Sequence, residues 1–355
     1  PGILSCFPEN KGVIQIKIAV DVMGGDNAPD AIIKGTIKAD QMFDELDLIL
    51  VGKSDIINRK LKNFTITDNS NFKIKEASEV ISMEETPATA IRKKKNSSIN
   101  IGTRLIKNNQ ADAFISAGNT GAVMGASLFN IGRMTGIKRP SIATIFPSKN
   151  GKTMVLDAGA NVDSKPTNLV QFAIMAQIYT KKIFNIKSPS IGLLNIGEED
   201  KKGNKLAIET SNLLKNDSRI NNFIGNVEGR DIFQGTCDII VCDGFVGNIV
   251  LKTTEGAVSY LMKLFKDTLT KNLLTRAASL LIKPYLKQMK NKIDYRKYGG
   301  APLLGVNGIV IISHGSSDAT AIFNSIKVAK NTYEANVVNS IKKEIDKEGE
   351  NNNDT

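Results

Sequence analysis

The sequence is poor in cysteine and aromatic residues and has no long apolar run. Its 355 residues include no tryptophan, 6% aromatic residues and three cysteines, which are Cys6, Cys237 and Cys242. This sparse, odd set fits neither a disulfide framework nor a zinc site, and it is typical of a reducing cytosol. No stretch reaches the roughly 18 apolar residues that a membrane-spanning helix needs. Few aromatic residues and no named nucleic-acid signature argue against a nucleic-acid partner.

Several motifs that would identify a cofactor or a reaction are missing too. No HExxH, CxxC or EF-hand spacing occurs, so we expect no metal site. The Walker A and GxGxxG patterns are absent as well, and we therefore expect no cofactor. No GxSxG elbow occurs, and His314 is the single histidine. Cys242 ends an apolar run, which favours a packed strand thiol over a nucleophile.

Composition allows a large core and favours an acidic partner. Hydrophobic residues make up 41% of the chain, and the formal net charge is +11. Such a balance suits an acidic protein or an anionic membrane surface. We interpret residues 16–334 as one α/β catalytic domain. Residues 1–15 lack the features of a signal peptide and are read as a leader or an added remnant, and residues 335–355 as a helix end and a disordered tail.

Six apolar runs end in Gly, Asn, Asp or Ser and then turn toward a helix. They are residues 16–21, 113–116, 154–157, 191–195, 238–242 and 308–312. This alternation predicts a mainly parallel sheet with crossover helices, and such sheets bind ligands beyond the carboxyl ends of their strands. Further strands are expected at 48–51 and 72–74. Helices are expected from Pro87 through about residue 98, and as an amphipathic segment at 169–184.

The loops after two of these runs are suited to binding an anion. Glycines let the backbone approach a ligand closely, and backbone N–H groups attract anions. The alternative is a tight turn with nothing bound. The candidate phosphate or thioester ligands in these two loops are Gly24, Gly25, Asp26, Ser116, Gly118, Asn119, Thr120 and Gly121.

Polar residues also follow the other runs. Asn161 and Asp163 surround one turn, Asp243 and Asn248 another, and His314 and Ser316 a third. Asn161, Asp163 and Asn248 are further candidate ligands for the phosphate or the thioester. Carboxylates in such turns commonly cap helices, and a lone histidine is more often structural than catalytic. His314, however, lies among hydroxyl groups in a loop.

Residues 255–297 differ in composition from the rest of the chain, because they combine apolar residues at helical spacing with many lysines. The pattern predicts a helical hairpin that dimerises through the stripe, contacts an anionic membrane, or does both. Its predicted apolar positions are Leu261, Met262, Phe265, Leu269, Leu273, Leu280 and Leu281. A separate basic run, Arg92, Lys93, Lys94 and Lys95, is a candidate docking patch for an acidic protein, or simply a solvated helix face.

With these motifs in view, the chain resembles the bacterial PlsX-type phosphate acyltransferases from residue 16 to about residue 329. The segments that carry the resemblance include IAVDVMGGDNAP, ETPATAIRKKKNSS, ADAFISAGNTGAVM, DAGANVD, CDGFVGNIVLKT and GVNGIVIISHGSSDA. None of these motifs departs from the family pattern in a way that indicates lost activity.

The resemblance implies transfer of a fatty acyl group from acyl carrier protein to inorganic phosphate, giving acyl phosphate for phospholipid synthesis. It also implies a three-layer α/β/α sandwich similar to the isocitrate/isopropylmalate dehydrogenase fold. It implies a homodimer in the cytoplasm that rests on the inner face of the membrane through a projecting helical hairpin. The product is expected to pass to a glycerol-3-phosphate acyltransferase.

The residues fit this reaction because phosphate is itself an anionic nucleophile, so positioning and oriented donors supply most of the catalysis. We expect the catalytic groups to be Asn119, His314, Ser316 and Asp243, with His314 assisting the departing thiol as an acid. Asp163, Asp243 and Asn248 are expected mainly to arrange the site.

Two other functions compete with this one. The first is a decarboxylating dehydrogenase on a related fold, which would need a nicotinamide site and a divalent metal. The second is a membrane-binding scaffold that senses acyl chains without turning them over. The basic hairpin would suit the scaffold, and the α/β fold would suit the dehydrogenase. The anion-binding loops, however, favour an enzyme that binds phosphate.

Overall fold

The computed structural model describes residues 15–64, 72–271 and 299–351, together with residues 279, 282 and 284–286. Strands and helices alternate along these segments. The strands are β1 Ile16–Asp21, β2 Leu46–Gly52, β3 Phe72–Glu76, β4 Ala113–Ser116, β5 Ser141–Ile142, β6 Thr144–Ser148, β7 Gly151–Leu156, β8 Ile191–Leu194, β9 Phe223–Val227, β10 Ile239–Val241, β11 Ala301–Leu304 and β12 Ile309–Ile312. The α-helices are α1 Asp30–Asp40, α2 Ser54–Leu61, α3 Pro87–Lys93, α4 Ser98–Lys107, α5 Thr120–Ala126, α6 Pro166–Ile183, α7 Lys205–Asn216, α8 Asp231–Gln234, α9 Gly244–Leu269, α10 Ala319–Glu334 and α11 Val337–Asn351.

The first sheet has seven strands in the order β3-β2-β1-β4-β12-β11-β5. The first five run parallel, and β11 pairs antiparallel with both β12 and β5. Ile18 and Ile115 pack on α1 and α10, whereas Phe114 packs on the opposite face with α4 and α5. Because both faces are covered, these strands appear in the sequence as continuous apolar runs.

The second sheet has five strands in the order β6-β7-β10-β8-β9, of which only β6 is antiparallel. One face packs on α6 and α7, with α11 packed against α6, and the other carries Val155, Ile240 and Cys242 under α8 and the first half of α9. The predicted α/β class with helices on both faces is therefore confirmed. The parallel strands are divided between two sheets.

Helix α6 is not the amphipathic helix that the sequence predicts. Every residue from Asn168 to Thr180 is buried. Its polar members have internal partners, since Gln171 accepts from the Lys138 amide at 2.9 Å and donates to the Gly136 carbonyl at 2.8 Å. A buried amide with both ends bonded costs little, so the helix lies inside the protein despite its polar residues.

The helix expected from Pro87 through about residue 98 is two helices. Helix α3 ends at Lys93, and α4 begins at Ser98 with Ser97 as its N-cap. The Asn100 side chain donates to the carbonyls of Ile91 and Lys94 at 2.9 Å each, which satisfies the end of α3. The break turns the chain so that both helices pack against the site loops.

The C-terminal segment forms a helix over most of its length. Helix α11 continues to Asn351, and its Val337, Ile341 and Ile345 are buried against α6. The helix end that we predicted within residues 335–355 is therefore long, and the disordered tail beyond it stays a prediction. Residues 352–355 lie outside the described part of the chain.

Candidate functional site

Three loops of the first sheet meet at the carboxyl ends of β1, β4 and β12. The strands are parallel neighbours, so the loops that follow them lie side by side. The Asp26 amide donates to the Gly315 carbonyl, and the Ser313 amide to the Ser116 carbonyl, both at 2.8 Å. The Asn27 side chain donates to the Ser316 carbonyl at 3.1 Å. The structure thus brings together the residues predicted at 24–26, 116–121 and 314–316.

The two glycines after β1 are required by close packing. A methyl group on Gly24 would lie 2.6 Å from the Asp21 carboxylate and 2.7 Å from the Gly118 amide nitrogen. Gly25 has φ near +100°, a backbone conformation that favours glycine. Below them, buried Asp21 accepts from the Ser116 hydroxyl at 2.7 Å. Burial raises the pKa of Asp21, although its hydrogen bonds oppose that rise. Sequence reasoning missed Asp21 because it was read only as the end of a strand.

Asn119 holds structure together rather than facing the open site. Its side-chain oxygen caps α5 by accepting from the Ala122 amide at 3.0 Å. Its amide hydrogens are directed at the carbonyls of Met83 at 3.1 Å and Glu85 at 3.0 Å. These contacts leave no free side-chain donor for an oxyanion. The next residue, Thr120, does line a cavity.

The second sheet contributes the turn after β7. Buried Asp157 accepts from the amides of Ile142, Ala160 and Asn161 at 2.7–3.1 Å, and also from the Asn161 side chain at 2.8 Å. Burial raises the pKa of Asp157, although these hydrogen bonds act to lower it. Asp243 caps α9 at the Phe245 amide and also accepts from the Ser164 amide, both at 2.9 Å. Asn161 and Asp243 therefore shape the site from behind.

Helix α9 lies directly against this turn because Gly244 and Gly247, which face it, have no side chains. A methyl group on Gly247 would lie 1.9 Å from the Asp157 carbonyl oxygen. Close approach places the Asn248 side chain against Gly159, where a methyl would meet it at 3.3–3.4 Å. The glycines of the DGFVGN segment thus set the position of the next two turns of α9.

A cavity of about 1010 Å³ lies between the loops of the first sheet, strand β6 and helix α9. Four predicted residues line its polar end: Thr120, Asn248, His314 and Ser316. Side chains from β6, α8 and α9 line most of the remainder; they are mainly apolar but include Thr144, Ser148 and Ser259. The structure therefore joins a polar cluster to an apolar interior.

His314 takes part in a hydrogen-bonded group that spans both halves of the site. Its Nδ1 lies 2.8 Å from the Ser316 hydroxyl and accepts from the Ser316 amide at 3.2 Å. In the neutral ring this assigns the proton to Nε2, which lies 3.5 Å from the Glu255 carboxylate. Lys252 lies 3.4 Å from the same nitrogen and 2.9 Å from Glu255.

Sequence reasoning missed Glu255 and Lys252. Burial acts to raise the pKa of Glu255, but hydrogen bonds and charge from His314 and Lys252 outweigh it, so the pKa of Glu255 is lowered. The Glu255 carboxylate, 3.5 Å from Nε2, helps to fix the orientation of the imidazole ring. The available signal was the spacing from Asn248 to Lys252 and Glu255, which places all three on one face of a helix.

A second cavity, of about 760 Å³, is lined by four cations. Asp163 also lines it, so the predicted residues are shared between two cavities rather than gathered in one. The cations, which sequence reasoning omitted, are Arg133, Lys138, Arg139 and Lys165. Such a group is suited to an anionic ligand.

The predicted docking patch begins next to the site. A methyl on Gly121 would lie 2.6 Å from the Pro87 ring, so the start of α3 touches the start of α5. Lys94 pairs with Glu85 at 2.7 Å and donates to the Val80 carbonyl at the same distance. Arg92, Lys93 and Lys95 are exposed, and they form the part of the patch open to a partner.

The second half of α9 carries exposed apolar side chains. Tyr260, Leu261, Leu264 and Phe265 are 47–66% exposed, whereas Met262 and Leu269 are half-buried. The predicted hairpin residues Leu273, Leu280 and Leu281 lie outside the described residues. Among the described helices, none is long and apolar enough to cross a membrane.

The two described cysteines are buried and unreactive. Burial raises the pKa of the Cys237 thiol to about 12 and that of Cys242 further. The Cys242 thiol donates to the Asp157 carbonyl at 3.5 Å. The prediction of a packed strand thiol at Cys242 is confirmed.

Comparison with known proteins agrees with this geometry. A family model described as "Fatty acid synthesis protein" matches residues 16–340. A phosphate acyltransferase of Halothermothrix orenii is 59% identical over 335 residues, which cover 94% of this chain and 100% of the relative. Another, from Thermoanaerobacter pseudethanolicus, is 48% identical over 94% of this chain and 99% of the relative.

Solved structures support the fold. A phosphotransacetylase from Streptococcus pyogenes superposes with a TM-score of 0.59 at 17% identity, covering 90% of this chain and 94% of that one. A 4-hydroxythreonine-4-phosphate dehydrogenase from Klebsiella pneumoniae gives a TM-score of 0.50 at 13% identity, with 90% and 98% coverage. At these identities the likeness concerns fold alone, and it agrees with the predicted resemblance to a dehydrogenase-like architecture.

Proposed function

This chain belongs to the phosphate acyltransferase family, whose members transfer acyl groups to phosphate, and on that premise we propose that its donor is a fatty acyl thioester of acyl carrier protein. The product, acyl phosphate, enters phospholipid synthesis by way of a glycerol-3-phosphate acyltransferase. The observation that carries the proposal is the larger cavity, which joins an apolar interior to the polar cluster around His314. A fatty thioester has the same division between an apolar chain and a polar reacting end.

In this reaction a phosphate oxygen attacks the thioester carbonyl carbon and forms a new C–O bond. The C–S bond then breaks, and the departing sulfur takes up a proton. In this step the His314 ring is protonated, with Nδ1–H donating to the Ser316 hydroxyl, and it gives the Nε2 proton to sulfur while Glu255 and Ser316 hold the ring in place. The proton that the attacking hydrogen phosphate gives up then restores the protonated ring. Thr120 and Asn248, which line the same end of the cavity, are placed to orient the carbonyl and the phosphate.

The smaller cavity supplies positive charge close to Asp163. Arg133, Lys138, Arg139 and Lys165 can attract phosphate or the phosphate of the carrier's prosthetic arm. Phosphate is already charged at neutral pH, so the step needs no side-chain nucleophile, and a metal is not compulsory.

The test is release of carrier thiol from palmitoyl-acyl carrier protein, with and without phosphate. We expect release to depend on phosphate and to yield a hydroxylamine-reactive acyl phosphate. Release at the same rate without phosphate would indicate a hydrolase, and no release would leave a scaffold as the better description. His314→Gln should lower turnover, and an unchanged turnover would remove His314 from the chemistry.

We also propose that the exposed apolar face of α9 mediates a homodimer, contact with the inner face of the cell membrane, or both. Tyr260, Leu261, Leu264 and Phe265 expose this face over about two helical turns. Leu264→Glu should weaken binding to anionic vesicles or shift the dimer toward monomer. The measurements are vesicle flotation and light scattering. If neither changes, the face serves neither purpose.

A further inference from the structure

We infer that the apolar part of the larger cavity is a channel for the acyl chain, and that Phe233, together with Phe146, sets the length of chain it accepts. The inference rests on the proposed function, because it takes a fatty thioester as the ligand. It goes further because it names the side of the cavity that binds the acyl chain and the residues that limit the chain's length.

Two elements line the cavity along its length and start near the chemistry. Strand β6 follows Ile142, whose carbonyl accepts from the Ala158 amide at 2.9 Å, and it runs to Ser148. At about 3.3 Å per residue, the distance from Ile142 to Ser148 is about 20 Å. Helix α9 covers about 21 Å from Asn248 to Met262 at about 1.5 Å per residue.

These lengths match an extended fatty chain. The hydrocarbon core of a bilayer is about 30 Å thick and two chains deep, so one chain spans about 15 Å. A channel of about 20 Å therefore accommodates the chain and part of the arm that carries it. The volume of about 1010 Å³ is at the upper end of ligand cavities.

The lining changes character along the channel. Near β12 it carries His314, Ser316 and Thr120, which can hydrogen-bond to a thioester or to phosphate. Farther along it presents Ile145, Leu251, Val258, Met262 and the two phenylalanines. Thr144, Ser148 and Ser259 also line the cavity, but its described charged side chains, Lys252 and Glu255, lie beside His314. A lining that is mainly apolar away from His314 suits a fatty chain.

An aromatic pair lines the cavity near the end of β6 that lies away from Ile142. Phe146 and Phe233 meet edge to face, with ring centroids 6.0 Å apart and an interplanar angle of 88°. Helix α8, which carries Phe233, is tied to the end of β6 because the Lys149 amide donates to the Phe233 carbonyl at 2.9 Å. Phe146 is buried in the core, whereas Phe233 is 42% exposed. Phe233 can therefore be altered without opening the core.

The experiment compares kcat/KM for acyl carrier protein loaded with chains from C10 to C20, in wild type, Phe233→Ala and Phe233→Trp. Each additional methylene that is buried should favour a chain about fourfold. Phe233→Ala should shift the optimum toward longer chains and raise the ratio for a chain two carbons longer by up to about 15-fold. Phe233→Trp should shift it toward shorter chains.

Ile224→Ala is the matched control, because Ile224 is 44% exposed on β9 and does not line the cavity. Its chain-length profile should equal that of wild type. Thermal unfolding shows whether each variant is folded, and light scattering reports its oligomeric state. Unchanged chain-length ratios in both active Phe233 variants would overturn the inference. A changed oligomeric state with unchanged ratios would show that a second copy of the chain covers the cavity instead.

A failure of the proposed function remains distinguishable. If wild type releases no thiol with any chain, binding of the fluorescent fatty acid cis-parinaric acid is measured directly. Weaker binding to Phe233→Trp, with Ile224→Ala unchanged, would support an acyl channel in a protein that is not an acyltransferase to phosphate. Equal binding to all three proteins would overturn the channel.

Discussion

Replacing Gly247 by alanine tests how the site is assembled, because this residue lies where α9 meets the turn after β7. The new methyl would lie 1.9 Å from the Asp157 carbonyl oxygen and 3.0 Å from both the Asp157 carbonyl carbon and the Cys242 sulfur. These neighbours are backbone and a buried thiol, so none can rotate away. Helix and turn must separate by about 1 Å to restore the 3.0 Å that real contacts keep.

Two opposing terms decide the effect on stability. Alanine in place of glycine inside a helix gains about 0.5–1 kcal/mol in the free energy of unfolding. Overpacking costs about 1–3 kcal/mol, so the net loss in the free energy of unfolding lies between about 0 and about 2.5 kcal/mol. The effect on activity should be larger, because α9 carries Asn248, Lys252 and Glu255. A displacement of about 1 Å at a catalytic group costs about 100-fold in rate.

The assays are urea unfolding and kcat/KM for phosphate-dependent thiol release. Gly256→Ala is the stability control, since it makes the same substitution in the same helix with no atom within 4 Å. Gly256→Ala should gain the stability that alanine gives over glycine in a helix and lose none to steric overlap. If Gly247→Ala were as stable as Gly256→Ala and kept its activity, the proposed seating of α9 would be wrong.

Three further predictions concern charged groups. Burial raises the pKa of Asp21, so folding favours its protonated form, and wild type loses stability as pH rises from the ordinary carboxyl pKa of about 4 toward the folded-state pKa. Asp21→Asn stays neutral and should therefore gain stability relative to wild type over that range in urea unfolding, whereas parallel curves would contradict this. Glu255→Gln removes a partly exposed, charge-assisted contact with His314 worth about 1 kcal/mol, so kcat/KM should fall about fivefold with little change in thermal stability. The difference in kcat/KM between this variant and wild type should disappear at a pH below the lowered pKa of Glu255, where wild type has lost the same charge. Lys93→Glu should raise KM for acyl carrier protein a few-fold at low salt but not at about 1 M salt, whereas the control Lys107→Glu, at the end of α4, should leave KM unchanged at both. Equal KM values for the two variants at low salt would contradict the docking patch.

The parallel architecture could be predicted from sequence for a definite physical reason. Strands covered on both faces show continuous apolar runs, and each run here ends in residues that form tight turns. Parallel order then brings the loops after β1, β4 and β12 to one edge, so the meeting of Gly25 with Gly315 followed from topology. The family resemblance supplied the activity, and it agrees with the relatives found.

Other features depend on contacts that a sequence does not display. The polar residues of α6 suggested an exposed face, but Gln171 is bonded to backbone on both sides of its amide inside the core. Asn119 carried the signal of a catalytic amide, yet its bonds to Met83 and Glu85 depend on where a distant loop packs. Glu255 was hidden because it begins the segment read as a hairpin, and Lys252 lies just before that segment; only the fold brings them to His314.

The most direct test of the central claim is transfer of labelled oxygen. The enzyme is incubated with palmitoyl-acyl carrier protein and with phosphate whose oxygens are all ¹⁸O, and the mass of the product is measured by mass spectrometry. We predict palmitoyl phosphate that keeps every labelled oxygen, because a phosphate oxygen itself attacks the thioester carbon. Release of unlabelled palmitate as the first product would show that water is the nucleophile and would contradict the account.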